Sequence, residues 1–198
     1  DIIIEAVSEN LETKRNILIQ AKKNIESDAI IASNTSSLSI LEIFTGIFDL
    51  SSVCGMHFFN PVQVMKLVEI SYLESTDQKV IDKVKNTVVA INKEYVVVQD
   101  STGFIVNRLL IPMINEAAKL IDEGIATPED IDKAMKLGAN HPMGPLKLSD
   151  LIGNDITQNI LIELKKKNDD LVISNTLSKL VNENKLGRKT KAGFYKYN

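Results

Sequence analysis

The sequence predicts an α/β protein that changes class part-way along. A largely parallel sheet with covering helices is expected over residues 1–99, and an all-helical domain over residues 100–198. Three observations carry this. Short β-branched apolar runs alternate with amphipathic, helix-length segments as far as Val98, and strands alternating with helices imply crossover units. The texture changes at Asp100-Ser101-Thr102-Gly103. Beyond it helical spacing dominates, and the next strand-like run is Gly193-Phe194-Tyr195-Lys196-Tyr197.

Each element has its own signal. Asp1 to Val7 is a β-branched apolar run of the kind covered on both faces of a sheet. Asn10 can cap a helix whose apolar spacing, Leu11, Ile17, Leu18, Ala21 and Ile25, runs to about Ile25. Ala29 to Ala32 is the next strand, and Ser39 to Phe44 a short helix. Ser52 to His57 and Met65 to Ser71 read as strands. Thr76 or Asp77 caps a helix carrying Val80, Ile81, Val84, Val88 and Ile91, and Tyr95 to Val98 is the last strand. In the second half, Ile105 to Asp122 is a long amphipathic helix with Gly124 as its stop. Thr127 caps the next helix, with Pro128 first and Asp130 third, and it runs to about Leu137. His141 to Pro145 is a turn, followed by helices from Leu146 to Lys166 and from Thr176 to Asn184.

Composition narrows the function classes. The chain is 44% hydrophobic and 25% charged, the balance of an ordinary globular protein. A net charge of −3 argues against a nucleic-acid partner. Lysines cluster at Lys165-Lys166-Lys167 and from Lys185 to Lys191; a solvated helix end explains them, with attraction of a phosphorylated ligand as the alternative. The single cysteine, Cys54, excludes an internal disulfide and reads as a small core residue. No Cys/His spacing suits a metal. No apolar run approaches the roughly 18 residues of a membrane span, and no signal peptide is visible, so a cytoplasmic location is expected. The first residue is Asp1 rather than Met, which reads as a fragment or a chain whose beginning is missing.

The most informative segment is His57-Phe58-Phe59-Asn60-Pro61-Val62-Gln63-Val64-Met65-Lys66-Leu67-Val68-Glu69. It holds one of two histidines, follows the polar run Ser33-Asn34-Thr35-Ser36-Ser37, and precedes Gly103-Phe104-Ile105-Val106-Asn107-Arg108. His57 closes an expected strand, where open parallel sheets place their ligand crevice. An imidazole titrates near neutrality and can take or give a proton at working pH. Glu69 stands inside an apolar strand, where a carboxylate is costly unless paired, and a histidine ring is the partner it calls for. A backbone-bonded core histidine and an edge-exposed glutamate are the plain alternatives. Ser36, Asn60 and Asn107 lie just past strands or at a helix start, where capping and turn formation also account for them.

The order and wording of these segments resemble the L-3-hydroxyacyl-CoA dehydrogenase family, its bacterial 3-hydroxybutyryl-CoA dehydrogenases above all, over essentially all 198 residues. The resemblance implies NAD or NADP as cofactor, a short acyl-CoA substrate and a homodimer formed through the helical domain. It implies His57 as the catalytic base in oxidation, with Glu69 orienting it. Ser36, Asn60 and Asn107 match positions that contact substrate and cofactor, and a Ser36 hydroxyl with an Asn107 amide would polarise the substrate oxygen. Glu9 and Lys14, in Val7-Ser8-Glu9-Asn10-Leu11-Glu12-Thr13-Lys14, match positions near the nicotinamide nucleotide. Lys189, in Gly187-Arg188-Lys189-Thr190-Lys191-Ala192-Gly193, matches a position close to the cofactor, although the family usually has glycine where Lys191 or Ala192 stands. The nine glycines never take the Gly-x-Gly-x-x-Gly spacing that opens the family's cofactor domain, so the sheet is expected to be an incomplete Rossmann-type one. Two rivals remain: a truncated relative acting only as a dimerising module, and a 6-phosphogluconate-type dehydrogenase, which leans on lysine where this chain has the His57/Glu69 pair.

Overall fold

The computed structural model describes residues 1–26 and 28–198. The chain divides into two compact units, Asp1–Ile105 and Val106–Asn198, a few residues beyond the change of texture at Asp100.

The first unit is built on a five-stranded sheet in the order β1-β2-β3-β4-β5. Its elements are β1 (Ile2–Glu5), α1 (Leu11–Ala21), β2 (Ile30–Ser33), α2 (Ile40–Phe44), β3 (Val53–Phe58), β4 (Leu67–Tyr72), α3 (Gln78–Ala90) and β5 (Glu94–Gln99). Strands β1, β2 and β3 are parallel, as are β4 and β5, but β3 and β4 are antiparallel. The connection 59–66 is too short for a parallel crossover, which needs a dozen residues or more, so the chain must turn back. This reversal sets His57 directly opposite Glu69 in the β3–β4 register.

Side-chain alternation along β2 and β3 fills a core on each face. Ile31 and Val53 pack with Leu18, Leu38, Ile40, Ile43 and Phe44. Ile30, Ala32, Cys54 and Met56 pack with Val68, Ile70, Val84 and Val88. Strand β1 is covered on both faces, with Ile3 packed on the first of these clusters and Ile2 on the second, while Ile4 is 40% exposed. Helix α1 ends at Ala21, where a 3₁₀ turn, Lys22–Asn24, carries the chain to Ile25.

The second unit holds α4 (Val106–Asp122), α5 (Pro128–Gly138), α6 (Pro145–Ile152), α7 (Asn154–Lys165) and α8 (Asn175–Asn182). Its core gathers Ile111, Ile114 and Ala118 of α4 with Ile131, Leu146, Ile160, Leu161 and Leu177. The single helix expected from Leu146 to Lys166 is two helices. Gly153 takes φ 112°, open to glycine and not to other residues, and breaks the run. The strand expected at Gly193–Tyr197 is an irregular segment with isolated bridges, Gly187 to Ala192 and Ala192 to Lys196. Buried Asp150 holds it there by accepting from the Phe194 and Tyr195 amides and the Tyr197 hydroxyl. Burial, and then this carboxylate, push the Tyr197 phenol up to about 12. A Cβ on Gly193 would lie 1.9 Å from Asp150 Oδ1, so only glycine admits the contact.

Candidate active site

The carboxyl ends of β1, β2 and β3 carry Glu5, Ser33 and His57, and all three side chains are buried. Pairing on β3–β4 brings His57 Nδ1 to 2.7 Å from Glu69 Oε2, with Glu69 fully buried. A carboxylate can only accept at that distance, so a neutral ring carries its proton on Nδ1 and its lone pair on Nε2. The other carboxylate oxygen, Oε1, accepts the Ile105 amide at 3.1 Å. Phe59 and Phe104 wall the imidazole, with ring centroids at 4.4 and 5.7 Å. The edge-exposed glutamate considered above is thereby overturned: Glu69 is a buried carboxylate aimed at a histidine.

The polar run after β2 is organised by Glu9. Its Oε1 accepts from the Thr35 hydroxyl at 2.7 Å, the Ser36 amide at 2.8 Å and the Ser37 amide at 2.9 Å. The hydroxyls of Ser36 and Ser37 reach the same oxygen at 3.2 and 3.0 Å. Burial alone would raise the Glu9 pKa, but the Thr35 hydroxyl, the Lys14 charge and these amides outweigh it and hold the carboxyl below its ordinary range. Lys14 is 1% exposed. Its ammonium meets Glu5 Oε1 at 2.9 Å, the Val7 carbonyl at 3.2 Å and Glu9 Oε2 at 3.3 Å. An ammonium has three hydrogens, and three acceptors surround this one.

Asn34 joins the two halves of the site, since its side-chain oxygen accepts the Phe58 amide at 2.9 Å, next to His57. Asn60 is exposed in the loop after β3, before a cis bond to Pro61. Asn107 lies in the first turn of α4, in the second unit. Lys189, also in that unit, sits 2.6 Å from Asp155 at the start of α7. The sequence thus names His57, Glu69, Glu9, Lys14, Ser36 and Asn60, which fall within one unit, and points to the run Ser33-Asn34-Thr35-Ser36-Ser37 without giving roles to its other members; Glu5 it misses. A usable signal existed for the buried ion pair: Lys14 occupies the apolar stripe of α1 between Leu11 and Leu18, where a charge needs a partner.

Cys54 is buried and its thiol is pushed up to about 12, so it is no nucleophile. Among the described residues no group of three or more His, Cys, Asp or Glu side chains could hold a metal ion. Among the described residues no helix is long and apolar enough to cross a membrane.

Two family models cover nearly the whole chain. The 3-hydroxyacyl-CoA dehydrogenase NAD binding domain matches residues 1–101, and the C-terminal domain of the same family matches residues 103–197. A 3-hydroxybutyryl-CoA dehydrogenase of Clostridioides difficile is 48% identical over all of this chain and 71% of its own length. The human mitochondrial hydroxyacyl-coenzyme A dehydrogenase is 45% identical over all of this chain and 64% of its own length. The crystal structure of (S)-3-hydroxybutyryl-CoA dehydrogenase from Ralstonia eutropha, 42% identical, superposes with a TM-score of 0.94 over all of this chain and 71% of that one.

Proposed function

This chain belongs to the 3-hydroxyacyl-CoA dehydrogenase family of NAD-dependent oxidoreductases, and on that premise we propose that it serves the reversible oxidation of a short (S)-3-hydroxyacyl-CoA, 3-hydroxybutanoyl-CoA in particular, to the 3-oxoacyl-CoA. The observation that carries the reading is the buried His57–Glu69 pair at 2.7 Å.

The residues present fit the nicotinamide end of the cofactor. Glu9, Ser36 and Ser37 form a polar cradle beyond the parallel strand ends, where open α/β sheets bind ligands. The 198 residues hold no Gly-x-Gly-x-x-Gly turn, so no phosphate site is assigned among them. A bound nicotinamide supplies the acceptor for the hydride that leaves C3. His57 Nε2 takes the substrate hydroxyl proton. Glu69 holds the ring through Nδ1 and favours the imidazolium that forms. In the reducing direction the imidazolium returns the proton to the carbonyl oxygen. The Ser36 hydroxyl and the Asn107 amide are assigned to polarise that oxygen. Asn60 and Lys189 keep the substrate and cofactor roles that the resemblance gives them. Lys14 is assigned a role through Glu9, since its ammonium is enclosed by acceptors within the chain. A homodimer formed by the helical unit and a cytoplasmic location complete the reading. The acyl-CoA substrate is supported by the names of the relatives, and the dimer and the location rest on the sequence and its resemblance alone.

The test is His57→Gln, assayed by NADH oxidation with a short 3-oxoacyl-CoA. Because general acid–base catalysis contributes about 10²- to 10⁴-fold, kcat should fall by that order while KM moves little. A near-normal kcat would remove His57 from the reaction.

A further inference from the structure

Two features of the His57–Glu69 pair come from residues that follow β5. The Ile105 amide occupies Glu69 Oε1, the oxygen His57 leaves open, and the Phe104 ring stands against the imidazole. Both depend on one turn. Gly103 takes φ 75° and Phe104 takes φ 46°, and the Phe104 amide closes the turn on the Ser101 carbonyl at 3.0 Å. A left-handed glycine is ordinary. A left-handed, fully buried phenylalanine is not: such a conformation persists only where its surroundings over-determine it, and it concentrates at functional sites. Glycine at position 104 would relieve the backbone but leave no ring against the imidazole.

We propose that Phe104 and the Ile105 amide help to position the dyad. A carboxylate bonded only to an imidazole can pivot about that bond; a second donor on its other oxygen fixes its plane. The Phe104 ring restricts rotation of the imidazole and keeps water from the Nδ1–Glu69 bond. Together they hold His57 in the single tautomer that leaves Nε2 with its lone pair. The catalytic meaning of this rests on His57 being the proton acceptor, as proposed above, but the geometry does not.

Nuclear magnetic resonance of the ring nitrogens tests it on this chain. Only His57 and His141 contribute, and His141, in the second unit, is an internal reference. In the parent chain His57 should show one neutral tautomer and a slowly exchanging Nδ1 proton. In Phe104→Ala that proton should exchange about tenfold faster, both tautomers should appear, and the Ile105 amide signal should shift, with His141 unchanged. Phe104→Leu keeps the apolar volume, should show the same changes to a smaller extent, and decides the matter if the alanine variant does not fold. A folded variant that keeps the single tautomer and the parent exchange lifetime would overturn the proposal. His57→Gln kinetics separate the two ideas: a loss of tautomer control with no kinetic role for His57 leaves the positioning intact and removes only the base.

Discussion

Ser71 and Gly55 face each other across β3 and β4, and together they isolate one local energetic decision. Among the described residues the buried Ser71 hydroxyl has no hydrogen-bond partner. An unmet buried hydroxyl costs about 1–3 kcal/mol, so Ser71→Ala should raise the unfolding free energy read from urea denaturation by up to that amount. A Cβ on Gly55 would lie 2.0 Å from Ser71 Oγ and 3.0 Å from Ile40 Cδ1, so Gly55→Ala should destabilise. The double variant should recover part of the loss, and strictly additive effects would show that the two positions do not share this space. Glu9 gives a pH-dependent prediction. Its folded-state pKa lies below the ordinary 4.5, so its ionised form contributes stability above about that pH, and the contribution is lost as pH falls through the folded value. Wild type should exceed Glu9→Gln in denaturant midpoint at pH 7, and the gap should close below about pH 4.5. At this scale His57 and Glu69 were legible because a charge inside an apolar strand needs a partner. Glu5 was not, because its partner Lys14 lies on the next element and only the fold brings them together.

Elements were legible wherever their start and stop signals were local. Asn10 and Thr127 cap α1 and α5 from within their own sequences, accepting the Thr13 amide at 2.9 Å and the Asp130 amide at 3.2 Å. Helix α2 is different. Ser39 stands at its N-cap, yet its hydroxyl donates to Asp100 Oδ2 at 2.8 Å, and it is Asp100 that accepts the Ile40 amide at 3.1 Å. A cap supplied from 60 residues away leaves no sequence signature. Because such caps contribute about 0.5–2 kcal/mol, Asp100→Ala should lower the unfolding free energy by that order. Chemical denaturation measures it, and Ser39→Ala should cost less. The reversal of β4 is not written in the strand itself. Apolar runs locate strands without giving direction, and only the length of the 59–66 connection excludes a parallel crossover. The division of the Leu146–Lys166 run turned on Gly153, where a glycine inside a helical pattern can be tolerated or can break it, and φ decides.

For the whole molecule, the open question is association. The resemblance implies a homodimer through the helical domain, and surplus apolar surface on α4, the longest helix of that domain, is the first place to look for it. The structure accounts for much of that helix internally. Ile111 and Ile114 are fully buried, and Leu110 and Leu120 pack on the same core, so α4 is the central helix of its unit. The surplus lies elsewhere: Leu109 is 71% exposed, Leu137 77%, Ile125 63% and Val172 61%. Singly scattered apolar residues occur on any monomer, so exposure alone does not decide the matter. What favours association is the number of large aliphatic side chains left in water by a unit as small as Val106–Asn198, combined with membership of the dehydrogenase family. A two-fold dimer is the commonest way to cover such a surface. Light scattering should therefore give a mass twice the 22.0 kDa of one chain. Dissociation on dilution would yield the affinity, and charge substitutions at Leu109 and Leu137 would then locate the interface by the shift each causes. A monomer mass that does not change with concentration would show that these side chains remain solvated and that the helical unit does not self-associate.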